Sequence, residues 1–161
     1  MAVFNTTEVI EKSKFNKFHA LILFWCTFII VLDGYDLAVY GAVLPILIEE
    51  WGLTSLEAGA MGSYGLIGVM FGAIFFGPLA DRIGRKNVIF ICFILFSIFT
   101  GLCGIAHSPT AFSTYRFIAG LGLGGIMPNV IALMTDYSPK SMRSLTVAIV
   151  LCGYSIGGML A

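Results

Sequence analysis

Residues 24–47 read FWCTFIIVLDGYDLAVYGAVLPIL, and the place of Asp33 and Asp36 in that run decides the fold. Everything around the two acids is apolar enough for a membrane span. An ionised carboxylate near the centre of a bilayer helix costs about 3 kcal/mol on insertion scales. Such a residue is therefore read as functional, facing protein or water rather than lipid. Asp33 and Asp36 stand three residues apart, so a helix points both the same way.

Composition sets the class. The chain of 161 residues is 58% hydrophobic and 11% charged, with a mean hydropathy of +0.96. Soluble domains carry roughly 25% charged residues, so this is an all-α integral membrane chain. Nine basic and nine acidic residues cancel, and net charge points to no partner. No basic stripe with interleaved aromatics is present, so nucleic-acid binding is not supported. Cys26, Cys92, Cys103 and Cys152 all fall within apolar runs, with neither C-x-x-C nor Cys/His ligand spacing. They read as packing residues, with no metal and no cofactor expected. His19 and His107, alone near span ends, read as interfacial or loop residues.

Five spans near the ~20 residues a bilayer helix requires are predicted at about Phe18–Leu44, Ala58–Leu79, Val88–Ala106, Ala111–Met134 and Leu145 to the end. Residues 1–17 read as a cytoplasmic tail, with no small-residue cleavage site before the first span. The tail holds Lys12, Lys14 and Lys17, the second link Arg82, Arg85 and Lys86, and the fourth link Lys140 and Arg143. The first and third links hold no basic residue. That alternation places the N-terminus in the cytoplasm, with Glu49, Glu50 and Glu57 outside. The odd number of spans and the apolar end at Ala161 predict a fragment of a longer protein. Arg116, the remaining basic residue, lies inside the fourth span. By the ~1.5 Å rise per residue, Asp36 sits roughly 12 Å below Leu44 and Arg116 roughly 8 Å below Ala111. The two are predicted to share a level, with Asp33 about one turn deeper.

Two further stretches carry information. The second link reads Gly77-Pro78-Leu79-Ala80-Asp81-Arg82-Ile83-Gly84-Arg85-Lys86, which predicts a tight turn at Gly84 holding Asp81 near Arg85 or a neighbouring helix end. The fourth span reads Arg116-Phe117-Ile118-Ala119-Gly120-Leu121-Gly122-Leu123-Gly124-Gly125. Gly120, Gly122 and Gly125 spell GxGxxG, but a dinucleotide fingerprint follows a strand and opens a soluble helix. Within an apolar span the same glycines let helices approach closely. Pro128 and Asn129 follow, a pair that kinks a helix and turns polar backbone toward a cavity.

The second link resembles the G-x-x-x-D-R-x-G-R-R/K loop between the second and third helices of the major facilitator superfamily. The fourth span is similar to that superfamily's arginine and glycine-rich fourth helix. The resemblance covers essentially the whole chain and implies about five of twelve helices, the N-terminal part of the fold, with a C-terminal half as the missing partner. It also implies a latch: Asp81, Arg85 and Asp136, with Gly77, Arg82, Gly84 and Arg143 around them, biasing the outward-facing state.

Within the superfamily, Asp33-Gly34-Tyr35-Asp36 resembles the first-helix hallmark of the aromatic acid:proton symporters, benzoate transporters above all. The implied activity is uptake of a ring carboxylate with protons across the cell inner membrane, not catalysis. Asp33, Asp36, Arg116, Tyr35 and Asn129 are the implied site residues, and Tyr40 and Tyr64 are candidate walls. A carrier for shikimate or quinate, nicotinate or sugar is the alternative, as is a membrane sensor that moves nothing.

Overall fold

The computed structural model describes residues 16–161, and its regular structure there is entirely helical. Apart from residues 16 and 17, the expected N-terminal tail lies outside that range. The helices are α1 (Lys17–Trp51), α2 (Ser55–Ile83), α3 (Arg85–Cys103), α4 (Pro109–Tyr137) and α5 (Arg143–Leu160). All five are long and apolar enough to cross a membrane. They run up and down between one end rich in Arg and Lys (Arg82, Arg85, Lys86, Lys140, Arg143) and another carrying Glu49, Glu50 and Glu57.

Most helices extend past their apolar spans, because capping and packing fix where a helix stops, whereas hydropathy marks only what lipid tolerates. α1 continues through Pro45, which removes one backbone hydrogen bond, since Leu47 beyond it is buried against Met61 and Phe112. It stops at Gly52, in the left-handed region at φ 61°, where the Leu53 N–H reaches back to the Ile48 carbonyl at 3.0 Å. Two residues later, Thr54 and Glu57 form a reciprocal capping box for α2. α4 starts on Ser108, whose side chain accepts from the Ala111 N–H, with Pro109 in the first turn. α2 and α3 are separated by Gly84 alone, whose φ of 91° is open to glycine and strained for other residues.

Packing divides the bundle. α4 lies against α2 on one side and α3 on another, α1 lies against α5, and the contacts joining these two groups are sparse. Glycine makes both seams close. A Cβ on Gly68 or Gly72 of α2 would run into the Phe117 or Leu121 carbonyl of α4, and one on Gly120 or Gly124 would run into the Gly65 or Val69 carbonyl of α2. Gly122 and Gly125 instead face Cys92 and Phe96 of α3 and Phe76 of α2. The GxGxxG string is thus two interleaved packing faces. On the other seam, Gly34 receives the Tyr154 carbonyl and Gly157 the Val31 carbonyl. Ile30, Cys92, Ile126, Val130 and Val150 are fully enclosed in the main core, while Phe24, Trp25, Ile74, Phe75 and Phe90 point outward. In water that exposure would be costly; hydrocarbon accepts it.

Candidate functional site

Asp36 of α1 is fixed by neighbours on two other helices. Its Oδ2 receives Nη1 of Arg116 from α4 at 2.7 Å, and Thr100 of α3 donates its hydroxyl to Oδ1 at 3.5 Å. Only 6% of the Asp36 side chain and 11% of the Arg116 side chain are exposed. A pair so deep is tolerated because each charge neutralises the other; removing one partner from such a pair typically costs about 3–5 kcal/mol.

A tyrosine holds the cation from below. The Arg116 guanidinium lies 4.9 Å from the centre of the Tyr40 ring, within range of a cation–π attraction. Tyr40 is itself anchored, its hydroxyl donating to the Ala58 carbonyl at 2.9 Å. Gly62 leaves room for that ring, since a Cβ there would come to 2.9 Å from Tyr40 Cε1. Phe112 also stacks with Tyr40, and Trp51 meets Phe112 edge-on. These aromatics, with Leu47 and Met61, close the site toward the glutamate end. The Nε of Arg116 is buried with no hydrogen-bond partner, beside Gly65, where a Cβ would sit 3.7 Å away.

The pair borders a cavity of about 800 Å³ between α1, α2, α4 and Tyr154 from α5. Its walls include Leu37, Leu66, Val69, Leu123 and Met127, with Asp33, Asp36 and Arg116 as its charged groups. A mostly apolar pocket with few convergent polar groups suits a small organic ligand. Among the described residues no group of His, Cys, Asp or Glu is placed to hold a metal ion.

The residues singled out in the sequence fall into three sets. Asp33, Asp36 and Arg116 share the cavity with Tyr40. Tyr35 is exposed outside its lining, and Tyr64 lines a smaller pocket of about 600 Å³ nearer the glutamate end. Asn129 is buried away from the cavity lining; its amide donates to the Gly125 carbonyl at 2.7 Å and to the Phe76 carbonyl of α2 at 3.5 Å. At the basic end, Arg85 pairs with Asp136 at 2.7 Å. Asp81 and Arg82 are exposed there and hold no ion pair among the described residues, while the Arg143 Nε is buried without a partner. Gly77 faces open space. Sequence reading missed Thr100 and Tyr154; for the second, Gly153-Tyr154-Ser155-Ile156-Gly157 is a small-xxx-small string that marks a close helix contact.

Comparison with known proteins places the chain among transporters. The chain is 48% identical over 162 residues to the benzoate transport protein of Acinetobacter baylyi, covering 98% of this chain and 35% of that protein. It is 42% identical over 164 residues to the gentisate transporter of Corynebacterium glutamicum, covering 98% and 36%. A solved bacterial homolog of the human lysosomal transporter Spinster, inward-facing and occupied, superposes with a TM-score of 0.80 at 25% identity, over 91% of this chain and 32% of that one. The chain thus spans about a third of the length of the relatives it matches. The Major Facilitator Superfamily model matches residues 26–161, and the chain belongs to that superfamily of membrane transporters.

Proposed function

We propose that this chain is the N-terminal part of a twelve-helix carrier that imports an aromatic carboxylate together with protons. It is multi-pass membrane protein from a transporter superfamily, not an enzyme. The observation that carries the substrate reading is the buried Arg116, facing an apolar cavity large enough for a substituted benzene ring. A ring carboxylate needs a cation for its charge and apolar walls for its ring. Similarity to benzoate and gentisate transporters supports the same class.

The proposed cycle uses the acids of α1. A nearby cation favours a carboxylate and burial favours the neutral acid, so motion of Arg116 relative to Asp33 and Asp36 changes their hold on a proton. Protonation from outside lets the substrate anion approach Arg116, and loss of the proton inside releases both. The missing half supplies the opposite wall, so substrate lies between two halves near the midplane. We place the N-terminus in the cytoplasm and the carrier in the cell inner membrane, on the alternation of basic links. Arg85 and Asp136 form the basic-end latch in this scheme, with Asp81 recruited by the other half.

The test is uptake of labelled benzoate by cells expressing the full-length carrier, under an acid-outside pH step, with and without a protonophore. Accumulation that collapses with the protonophore, and yields to ring carboxylates but not to shikimate or glucose, is the expected result. Near-normal driven uptake in both Asp33→Asn and Asp36→Asn removes the coupling scheme. Competition by glucose or shikimate instead returns the substrate to the superfamily at large.

A further inference from the structure

Hydrogen-bonding side chains that line the cavity are mostly spoken for. Asp36 is held by Arg116 and Thr100, Tyr40 donates to the Ala58 carbonyl, and Ser63 donates to the Gly59 carbonyl at 2.9 Å. Asp33 and Tyr154 are the exception. Both line the cavity, neither makes a hydrogen bond or ion pair among the described residues, and neither is counted among buried atoms lacking partners. Both residues thus stand in the cavity wall with hydrogen-bonding capacity left unused among the described residues.

The two are brought together by the α1–α5 seam. The Tyr154 backbone carbonyl packs on Gly34, the residue after Asp33, at a distance that no Cβ would permit. The seam thus sets Tyr154 against the backbone next to Asp33, with both residues in the cavity wall. With Gly153 against Thr27 and Gly157 against Val31, α5 has little freedom to slide. The seat of Tyr154 is consequently rigid, as a recognition group needs to be.

Asp33 lies one turn from Asp36, ~4.5 Å along the axis, toward the basic end. The cavity wall thus carries a cation at Arg116 and, about one helical turn of α1 nearer the basic end, an acceptor and a donor in Asp33 and Tyr154. We propose that Tyr154, together with Asp33, is the subsite that reads a hydroxyl at the 3- or 4-position of an aromatic carboxylate whose own carboxylate faces Arg116. The ring hydroxyl donates to Asp33 and accepts from Tyr154. A 2-hydroxyl sits beside the carboxylate and cannot reach that acceptor and donor. This inference rests on the aromatic-acid reading above and assigns selectivity within it.

The experiment is Tyr154→Phe in the full-length carrier, with its amount in the membrane measured and kcat/KM for uptake determined for benzoate and for 2-, 3- and 4-hydroxybenzoate. Removing one hydroxyl that pairs with substrate should lower kcat/KM for 3- or 4-hydroxybenzoate, relative to benzoate, by about tenfold. The ratio for 2-hydroxybenzoate should stay unchanged. A uniform loss on all four acids, or no change in any ratio, overturns the assignment while leaving the aromatic-acid reading in place. Uptake of benzoate with none of the 3- or 4-hydroxy acids by the unmodified carrier also overturns it. An unmodified carrier that takes none of the four overturns both.

Discussion

Arg85, the first residue of α3, and Asp136, in the last turn of α4, meet at 2.7 Å and tie the basic ends of two packed helices together. The pair is open to solvent, with 32% and 54% of the side chains exposed. Exposed pairs of this kind contribute about 0–1 kcal/mol.

Asp136→Asn should therefore change fold stability by less than about 1 kcal/mol, measured by denaturation of the purified protein in detergent. If transport falls steeply in the same variant, the pair acts on the conformational equilibrium. A large loss of stability would make it a structural brace instead.

The buried pair behaves differently. Asp36→Asn strands a guanidinium that stays charged at every accessible pH, at a cost of about 3–5 kcal/mol. Arg116→Met strands the buried Asp36 carboxyl and should be destabilising as well. The double variant Asp36→Asn/Arg116→Met should recover most of the folded protein. Additive losses in the double variant, read from membrane levels and thermal unfolding, would contradict a coupled pair.

Two glycines separate packing from other roles. Gly124→Ala drives a Cβ into the Val69 carbonyl and should cost several kcal/mol, on the order of other overpacked cores. Gly77→Ala meets nothing within 4 Å and should be neutral, or stabilising by about 0.5–1 kcal/mol through helix propensity. Equal stability of the two variants in a melting assay would refute the close α2–α4 seam. Impaired transport in a stable Gly77→Ala carrier would show that this helix glycine serves a contact outside the bundle.

Tyr40 holds Arg116 through its ring, not its hydroxyl. Tyr40→Phe keeps the ring under the guanidinium, whereas Tyr40→Leu removes an attraction of about 0.5–2 kcal/mol. KM for the aromatic acid should rise several-fold more in the Leu variant than in the Phe variant. Identical KM values would show that the ring face does not position the cation.

Much of this was legible from the residues. Asp36 and Arg116 stand out because charge in an apolar run demands a partner, and rise per residue put them at one level. Gly84 was readable as a turn, since no other residue links α2 and α3 so tightly. Which helices pair was not legible. A helix apolar on every side has no buried face to read, so hydropathy alone cannot say that α5 lies on α1 while α2 lies on α4. That gap hid Tyr154, whose place depends on the α1–α5 seam, and Thr100, which needed α3 to be set beside α1. It also made Asn129 look like a cavity residue, although its amide spans the α2–α4 seam.

The sparse contact between the α1–α5 pair and the α2–α3–α4 group has a mechanical meaning. Across that crack run the Asp36–Arg116 bond, the Thr100 hydroxyl and the Tyr40–Ala58 hydrogen bond, like a clasp on two loosely joined shells. Without the Asp36–Arg116 pair, the crack would be spanned mainly by sparse packing and by the Tyr40 hydroxyl on the Ala58 carbonyl. Losing the Asp36–Arg116 bond should therefore loosen the two groups against each other while leaving the packing within each group intact.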